Sequence, residues 1–284
     1  VEWIAMPEFL HVGSLIVDDI QDKSDTRRGG PCSHLLYGEP LCINAGTAAY
    51  FQCEQLIKAP GLSAEDLNKC YGLYFAALRG GHAGQALDIH GLDYLMDDVV
   101  QNGNAAILEE RSLAIHMLKT AVPAGTLARM GALVGKGTER QIEAMGLYFE
   151  SVGIAFQIMD DVLNLRGLYS KDADKMKKGT ALKRLGEDIV EGKVTMPVCK
   201  AMAKLKTVEE RRKLWDTIRA KPQDQVVVDS VIAELEGLGA IEECIEQADT
   251  IVNEAWADLD SVIPDSFAKM MLRSFGWFVI ERCG

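Results

Sequence analysis

Positive charge is in short supply in this chain: 30 Lys and Arg stand against 42 Asp and Glu, for a net charge of −12. That balance disfavours a general nucleic-acid binder, which needs a basic surface. An anionic ligand would need metal ions or a local basic pocket. Proline is scarce, at 8 of 284 residues. No CxxC pair occurs among the seven Cys, at 32, 42, 53, 70, 199, 244 and 283. An odd, scattered count reads as buried reduced thiols, so a reducing, cytoplasmic compartment is expected. No apolar run reaches transmembrane length, and no signal-peptide pattern opens the chain. Sustained strand alternation, an Asn-Gly hairpin flanked by strands and a 20–50-residue repeat are all missing. The first residue is Val rather than Met, so the native polypeptide is expected to extend further at its N-terminus.

What is present favours helix. Apolar residues make up 48%, enough for a sizeable core, and Ala, Leu, Met, Glu and Lys are plentiful. Residues 1–20 read as a helix with an apolar face at Ile4, Phe9, Leu10, Leu15 and Ile16, and 23–40 as a loop. Helix resumes at 41–58, and "SAED" at 63–66 starts another that runs to about Gly91. Further helices are expected at about 95–118, 123–135, 138–166, 186–203, 207–219, 223–237, 239–258 and 265–281. The Lys-rich stretch 169–186 reads as a mobile loop. No linker divides the chain, so the reading is one all-α domain of about ten helices over 1–284.

Two acidic clusters carry the chemistry. In "LIVDDIQDKSDTRRGG" (15–30), Asp18 and Asp22 sit four apart, on one helix face, and Arg27 and Arg28 follow. In "QIMDDVLN" (157–164), Gln157, Asp160, Asp161 and Asn164 share a face at spacings of three and four. Two such helices facing each other make a carboxylate-lined cleft, which suits Mg2+ bridging to phosphate oxygens. An Asp pair on a helix is commonly just a solvated face, as Asp97 and Asp98 in "MDDVV" illustrate. These two clusters differ because apolar residues flank them, and carboxylates there need a counter-charge.

At these residues the chain resembles the trans-isoprenyl diphosphate synthases, most closely the geranylgeranyl diphosphate synthase type. It matches that family's DDxxD followed by RRG in "DDIQDKSDTRRGG", and its DDxxN or DDxxD in "DDVLN". "GQALDIHG" (84–91), "LKT" (118–120) and "EDIVEGKVTMP" (187–197) match in order between and after them. The resemblance covers essentially the whole chain and extends to the prenyltransferase domains of fungal two-domain terpene synthases. It implies an isoprenoid synthase-type bundle around a central active-site cavity. It also implies head-to-tail condensation of isopentenyl diphosphate with allylic diphosphates, assisted by three Mg2+ ions acting as Lewis acids.

By that family pattern, Asp18 and Asp22 would hold two ions and Asp160 the third, with Asp161 and Asn164 acting through metal-bound water and Asp19 supporting from behind. Arg27 would clamp the allylic diphosphate with its planar fork, and Lys119, Lys183 and Lys193 would add charge to the same group. Thr120 and Gln157 would position the cation's surroundings, while His11 and Arg28 would meet isopentenyl diphosphate. The family's Gly-Lys-x-x-Arg segment upstream of the first motif has no match here, so the second substrate's site is incomplete as written; a fused terpene cyclase upstream is one expected source of the missing chain.

The product is expected to be the C20 chain. Gly13 and Ser14 lie one turn before Asp18 and are small, where C15-forming relatives carry aromatics; Tyr50, Phe51 and His82 would form the next floor. Gly13→Phe is then expected to shorten the product. An oligomer, a dimer or higher, is expected from the resemblance and from the apolar helix at 41–57. Three other readings stand beside this one. A class I terpene cyclase shares the fold, but its second motif carries Asn, Ser or Thr, and Glu, which "DDVLN" does not fit. A di-iron bundle needs two Glu-x-x-His pairs and only "EFLH" (8–11) is present. A non-catalytic regulatory subunit would be expected to lose one aspartate motif, and both are intact. "GGHAGQ" (80–85) lies inside a helix and lacks the Lys-Ser/Thr of a phosphate loop.

Overall fold

A computed structural model describes residues 2–58, 62–167 and 185–281. The expected loop at 169–186, with Lys183 in it, lies outside the described residues except for its last two. A 3-10 turn, Glu2–Ile4, leads into α1 (Ala5–Gln21), a short ladder of β1 (Thr26–Arg27) and β2 (Gly30–Pro31), α2 (Ser33–Tyr37), α3 (Glu39–Ile57) and α4 (Ala64–His90). Then come α5 (Asp93–Asn102), α6 (Ala106–His116), a π-helical turn (Met117–Ala121), α7 (Val122–Val134) and α8 (Glu139–Arg166). The chain continues with α9 (Glu187–Glu191), α10 (Met196–Lys204), α11 (Val208–Arg219), α12 (Gln225–Gly237), α13 (Ala240–Asp260) and α14 (Phe267–Glu281). The fold is all-α apart from the ladder, as expected.

Local signals set the helix starts. The Ser63 hydroxyl accepts Asp66 N–H at 3.0 Å, and Glu65 and Asp66 sit in the positive first turn of α4. Thr138 with Gln141 and Thr207 with Glu210 form capping boxes on α8 and α11. Two expected helices are each two. The 95–118 segment breaks at Gly103, which takes a left-handed conformation (φ 71°) and packs on the Arg211 guanidinium. The 186–203 segment breaks at Gly192, at φ 75°. The expected loop 23–40 holds the β1–β2 ladder and α2, which two-residue strands and a five-residue helix give too little sequence to announce.

Helix α8 is the axis of the bundle. It packs against α7 on one side and α13 on the other, and its Val152, Ala155, Ile158, Met159 and Val162 are almost wholly buried. Burial of such a side chain stabilises the fold by about 1.5–3 kcal/mol. Because Asp160 and Asp161 lie inside this run, the core fixes where the second motif stands. A smaller apolar cluster of Met6, Cys53, Ile57, Tyr74 and Met130 seats α1 against α3 and α4, and so positions the first motif.

Candidate active site

The last turn of α1 presents Asp18, with Asp22 as its C-cap. Asp19 turns away from that pair and is only 4% exposed. There its Oδ1 accepts Arg27 Nε–H at 2.8 Å and a second donor, Nη2–H, of the same guanidinium. The β1–β2 ladder pairs Arg27 with Gly30 and thereby sets the backbone of the clamp. Arg27 Nη2 then stands 3.7 Å from Asp18 Oδ2. Asp19 therefore braces the arginine.

A second cation comes from the π turn. Gly84 on α4 makes room for it, since a Cβ there would lie 2.1 Å from the Lys119 backbone nitrogen. On the other side Gly153 of α8 admits Ala121, with a Cβ contact of 2.8 Å to the Ala121 Cα. The wide turn held between these glycines reaches Lys119 Nζ to Asp88 Oδ2 at 2.6 Å and to Asp18 Oδ1 at 3.4 Å. Burial opposes the Lys119 charge, but Asp88 and Asp18 outweigh it and raise its pKa. Gln85 donates to Asp18 Oδ1 at 2.9 Å and to Gln21 Oε1 at 2.8 Å. Thr120 belongs to the same turn.

Across the site, α8 carries Gln157, Asp160, Asp161 and Asn164. Asp161 Oδ2 accepts Met196 N–H at 2.9 Å and lies 3.8 Å from His116 Nε2. Asn164 Oδ1 accepts Asp188 N–H at 3.2 Å, tying α9 to the motif. Both side chains are thus engaged with the 186–196 segment, and Asp160 lies on an exposed part of the same helix. Burial, then Asp188, pushes the Asp161 carboxyl well above the usual range. Burial, then Asp18, pushes Asp22 up. Burial lowers the His116 pKa to about 4, so that imidazole is neutral at physiological pH. Lys193 pairs with Glu191 at 2.6 Å and feels Asp188 and Asp22 as well, which relates it to both motifs.

His11 is exposed on α1, and partial burial together with Arg28 holds its pKa below 6.5. Arg28 takes a positive φ of 52°, beside Arg27 but outside the Asp19 brace. Of the residues read as limiting chain length, Tyr50 and His82 meet edge to face at 5.5 Å, with Tyr50 buried. Phe51 does not join them: it is 74% exposed on α3, so a floor role is not met within one chain. Gly13 faces α3, where a Cβ on it would also stand 3.2 Å from the Tyr50 ring. A Cβ there would lie 2.7 Å from Gly46 O and 2.8 Å from Ala49 Cβ, so Gly13 is the close approach of α1 to α3. Ser14 is exposed, and its hydroxyl donates to His11 O at 2.8 Å. Lys183 lies outside the described residues.

Four site residues gain a role only in the folded chain. Gln85 and Asp88 stand within "GQALDIHG", where three-residue spacing on a helix puts both on one face. Asp188 stands within "EDIVEGKVTMP", and His116 carries no signal, because only the folded chain brings it to Asp161.

The donor set fits a hard divalent cation. Asp18, Asp22 and Asp160 offer oxygens, and burial with the neighbouring Asp18 charge raises the Asp22 pKa, a cost that a bound cation would offset. Among the described residues no three Asp, Glu, His or Cys side chains form a cage by themselves. Such an ion would complete its shell with water and diphosphate oxygens, as Mg2+ does.

A helical bundle with carboxylates on two helices and cations set among them is the framework of an isoprenoid diphosphate synthase. Residues 2–235 match the polyprenyl synthetase family, and the chain belongs to that family; it is a prenyltransferase. A short chain isoprenyl diphosphate synthase of Methanothermobacter thermautotrophicus is 30% identical, over 97% of this chain and 77% of that protein. A geranylgeranyl pyrophosphate synthase of Apiospora sacchari is 28% identical, over 93% of this chain and 74% of its own length. A Corynebacterium glutamicum geranylgeranyl pyrophosphate synthase, solved with isoprenyl diphosphate and magnesium, superposes with a TM-score of 0.79 at 27% identity, covering 99% of this chain and 78% of that one.

Proposed function

We propose that this chain joins isopentenyl diphosphate head to tail to an allylic diphosphate and releases geranylgeranyl diphosphate, C20. The observation that carries this is the interleaving of charge at the first motif. Arg27 and Lys119 both reach Asp18, yet each is braced from behind, by Asp19 and Asp88. A pair of braced cations beside carboxylates suits a ligand that brings diphosphate and divalent metal together. Asp18, Asp22 and Asp160 would hold Mg2+, three ions in all, with Asp161 and Asn164 supporting them. The metal would supply Lewis-acid neutralisation of the leaving diphosphate.

The protein's own groups do the rest. Arg27 grips the allylic diphosphate through its fork, and Lys119, Lys193 and Lys183 neutralise it as point charges. The allylic carbon–oxygen bond breaks with its electron pair leaving on diphosphate. The double bond of isopentenyl diphosphate attacks that carbon, leaving a tertiary cation on the isopentenyl unit, and the carbon beside that cation gives up its proton to the released diphosphate. Thr120 and Gln157 orient polar atoms toward the developing cation. His11 and Arg28, close enough for the arginine to depress the imidazole pKa, receive the isopentenyl diphosphate.

The C20 product is supported by relatives named geranylgeranyl pyrophosphate synthase and by the Tyr50–His82 contact as the tunnel floor. The proposal includes one prenyltransferase domain over these residues, a cytoplasmic setting and a homo-oligomer. Six described cysteines are free, and Leu35, Leu36, Tyr37, Leu41 and Phe51 leave an apolar surface exposed on α2 and α3. Among the described residues no helix is long and apolar enough to cross a membrane.

The test incubates the protein with geranyl or farnesyl diphosphate, isopentenyl diphosphate and Mg2+, then identifies the alcohols after phosphatase treatment. C20 should dominate and vanish with chelator. Mainly C15 from a C10 starter, or mainly C25 and longer, overturns the C20 assignment. Normal turnover by Asp160→Ala overturns the reaction assignment.

A further inference from the structure

His116 closes α6 immediately before the π turn, and its side chain is only 8% exposed. Nε2 faces Asp161 Oδ2 across 3.8 Å, while the buried Nδ1 has no hydrogen-bond partner. The same Asp161 oxygen is already held by Met196 N–H at the start of α10. We propose that His116 is a positioning residue for the second aspartate motif: it presents Nε2–H to Asp161 and holds that carboxylate between α6 and α10, so that neighbouring Asp160 faces the diphosphate.

The tautomer follows from the partners. A neutral imidazole carries one N–H. Placed on Nδ1, that hydrogen would be a buried donor without an acceptor. Placed on Nε2, it points at Asp161 and only a weakly demanding lone pair is left unpartnered. The 3.8 Å separation is longer than a hydrogen bond. Hydrogen bonds in catalytic sites are commonly long before ligand arrives and tighten in the complex. A carboxylate held from two helices has less freedom to rotate than one held from a single side.

Position gives the contact its significance. His116 lies three residues before Lys119 and four before Thr120. The wide turn that brings Lys119 to Asp88 and Asp18 thus begins at the side chain that meets Asp161. One short stretch of backbone therefore indexes both aspartate motifs against each other. This inference rests on the prenyl-transfer reading only for what Asp160 binds, and not for the His116–Asp161 contact itself.

Two measurements test it. The first is the 15N spectrum of the imidazoles in the unaltered protein, where His116 should be protonated on Nε2 and bare on Nδ1. A hydrogen on Nδ1 overturns the proposal. The second is calorimetric binding of inorganic diphosphate as a function of Mg2+ in His116→Leu and His116→Gln, with melting temperatures alongside. His116→Leu should weaken Mg2+-dependent binding by at least about tenfold, the usual effect of losing an outer-shell partner. His116→Gln, whose amide N–H replaces Nε2–H, should recover to within about threefold of the unaltered protein. Unchanged binding in His116→Leu, or a His116→Gln no better than His116→Leu, overturns it. Should His116→Leu fail to fold, the tautomer and the His116→Gln affinity still decide. If the unaltered protein binds no diphosphate with Mg2+, the prenyl-transfer reading fails, while the tautomer still decides the contact.

Discussion

Gly84 lies against the backbone of Lys119: a single methyl group on Gly84 would stand 2.1 Å from the Lys119 nitrogen. The helix that carries Gln85 and Asp88 therefore touches, main chain to main chain, the turn that carries the lysine. The Asp88 brace of Lys119 depends on that approach, because Asp88 is one helical turn beyond Gly84.

Gly84→Ala should accordingly separate α4 from the π turn. The contact is with backbone, which cannot rotate aside, so destabilisation should reach the upper part of the overpacking range, about 3 kcal/mol. Turnover should fall by more than about tenfold, since even small misplacement of a positioned charge is costly. Urea denaturation and kcat measured together check this. A stable, fully active Gly84→Ala would show that the approach is not needed.

The Arg27 brace makes a different prediction. Asp19 receives two of the arginine's N–H groups, while its own carboxylate is buried. Arg27→Lys keeps the charge but offers no planar fork, so KM for the allylic diphosphate should rise about tenfold. Asp19→Asn should do likewise through Arg27, although Asp19 does not meet substrate. KM for isopentenyl diphosphate should stay near its original value in both. A rise in that second KM alone would contradict the assignment of the two diphosphates.

Much of this architecture is legible in the sequence, and the exceptions share a cause. Helices announced by a cap, such as Ser63 before α4 or Thr138 before α8, start where the residues place them. Asp18, Asp22 and Asp160 are legible because their spacing is a helix repeat. The π turn is not, because its extra width is set by Gly84 and Gly153 on two other helices. Gln85, Asp88 and His116 escape for the same reason: each is defined by a contact with a residue distant in sequence. Gly13 shows the converse. Its small size is plain in the sequence, but whether it borders a tunnel or a neighbouring helix depends on α3.

His11 offers a pH-dependent prediction. Burial and Arg28 lower its pKa from 6.5, so at pH 7.5 the imidazole is neutral and can contribute a hydrogen bond but no charge. A neutral hydrogen bond is worth about 1 kcal/mol. His11→Ala should therefore raise KM for isopentenyl diphosphate by only about fivefold at pH 7.5. As pH falls below 6.5 through the lowered pKa, the imidazole gains charge, and the penalty of His11→Ala should grow. A penalty that shrinks toward acid would exclude His11 from an anion site.

The placement of Gly13 changes the test of chain length. Phe at position 13 would drive into Gly46 O and Ala49 Cβ, prying α1 from α3. Gly13→Phe should therefore lose more than about 3 kcal/mol of stability, beyond the common overpacking range, whatever it does to the product. Ser14 is the informative position. It precedes Asp18 by four residues on α1, hence lies one turn away, about 5.4 Å, on the same face, and it is exposed. Ser14→Phe should leave the melting temperature nearly unchanged and shift the product from C20 to C15 or shorter. Tyr50→Ala with His82→Ala removes the edge-to-face pair and should lengthen the product past C20. Phe51→Ala, at an exposed site, should leave product length unaltered in a monomer and alter it only if another chain covers that surface. Product alcohols from geranyl diphosphate, measured for all four variants beside their melting temperatures, separate a tunnel from a packing seam. An unchanged product in Ser14→Phe would reject the tunnel beneath Asp18 even where C20 is the natural product.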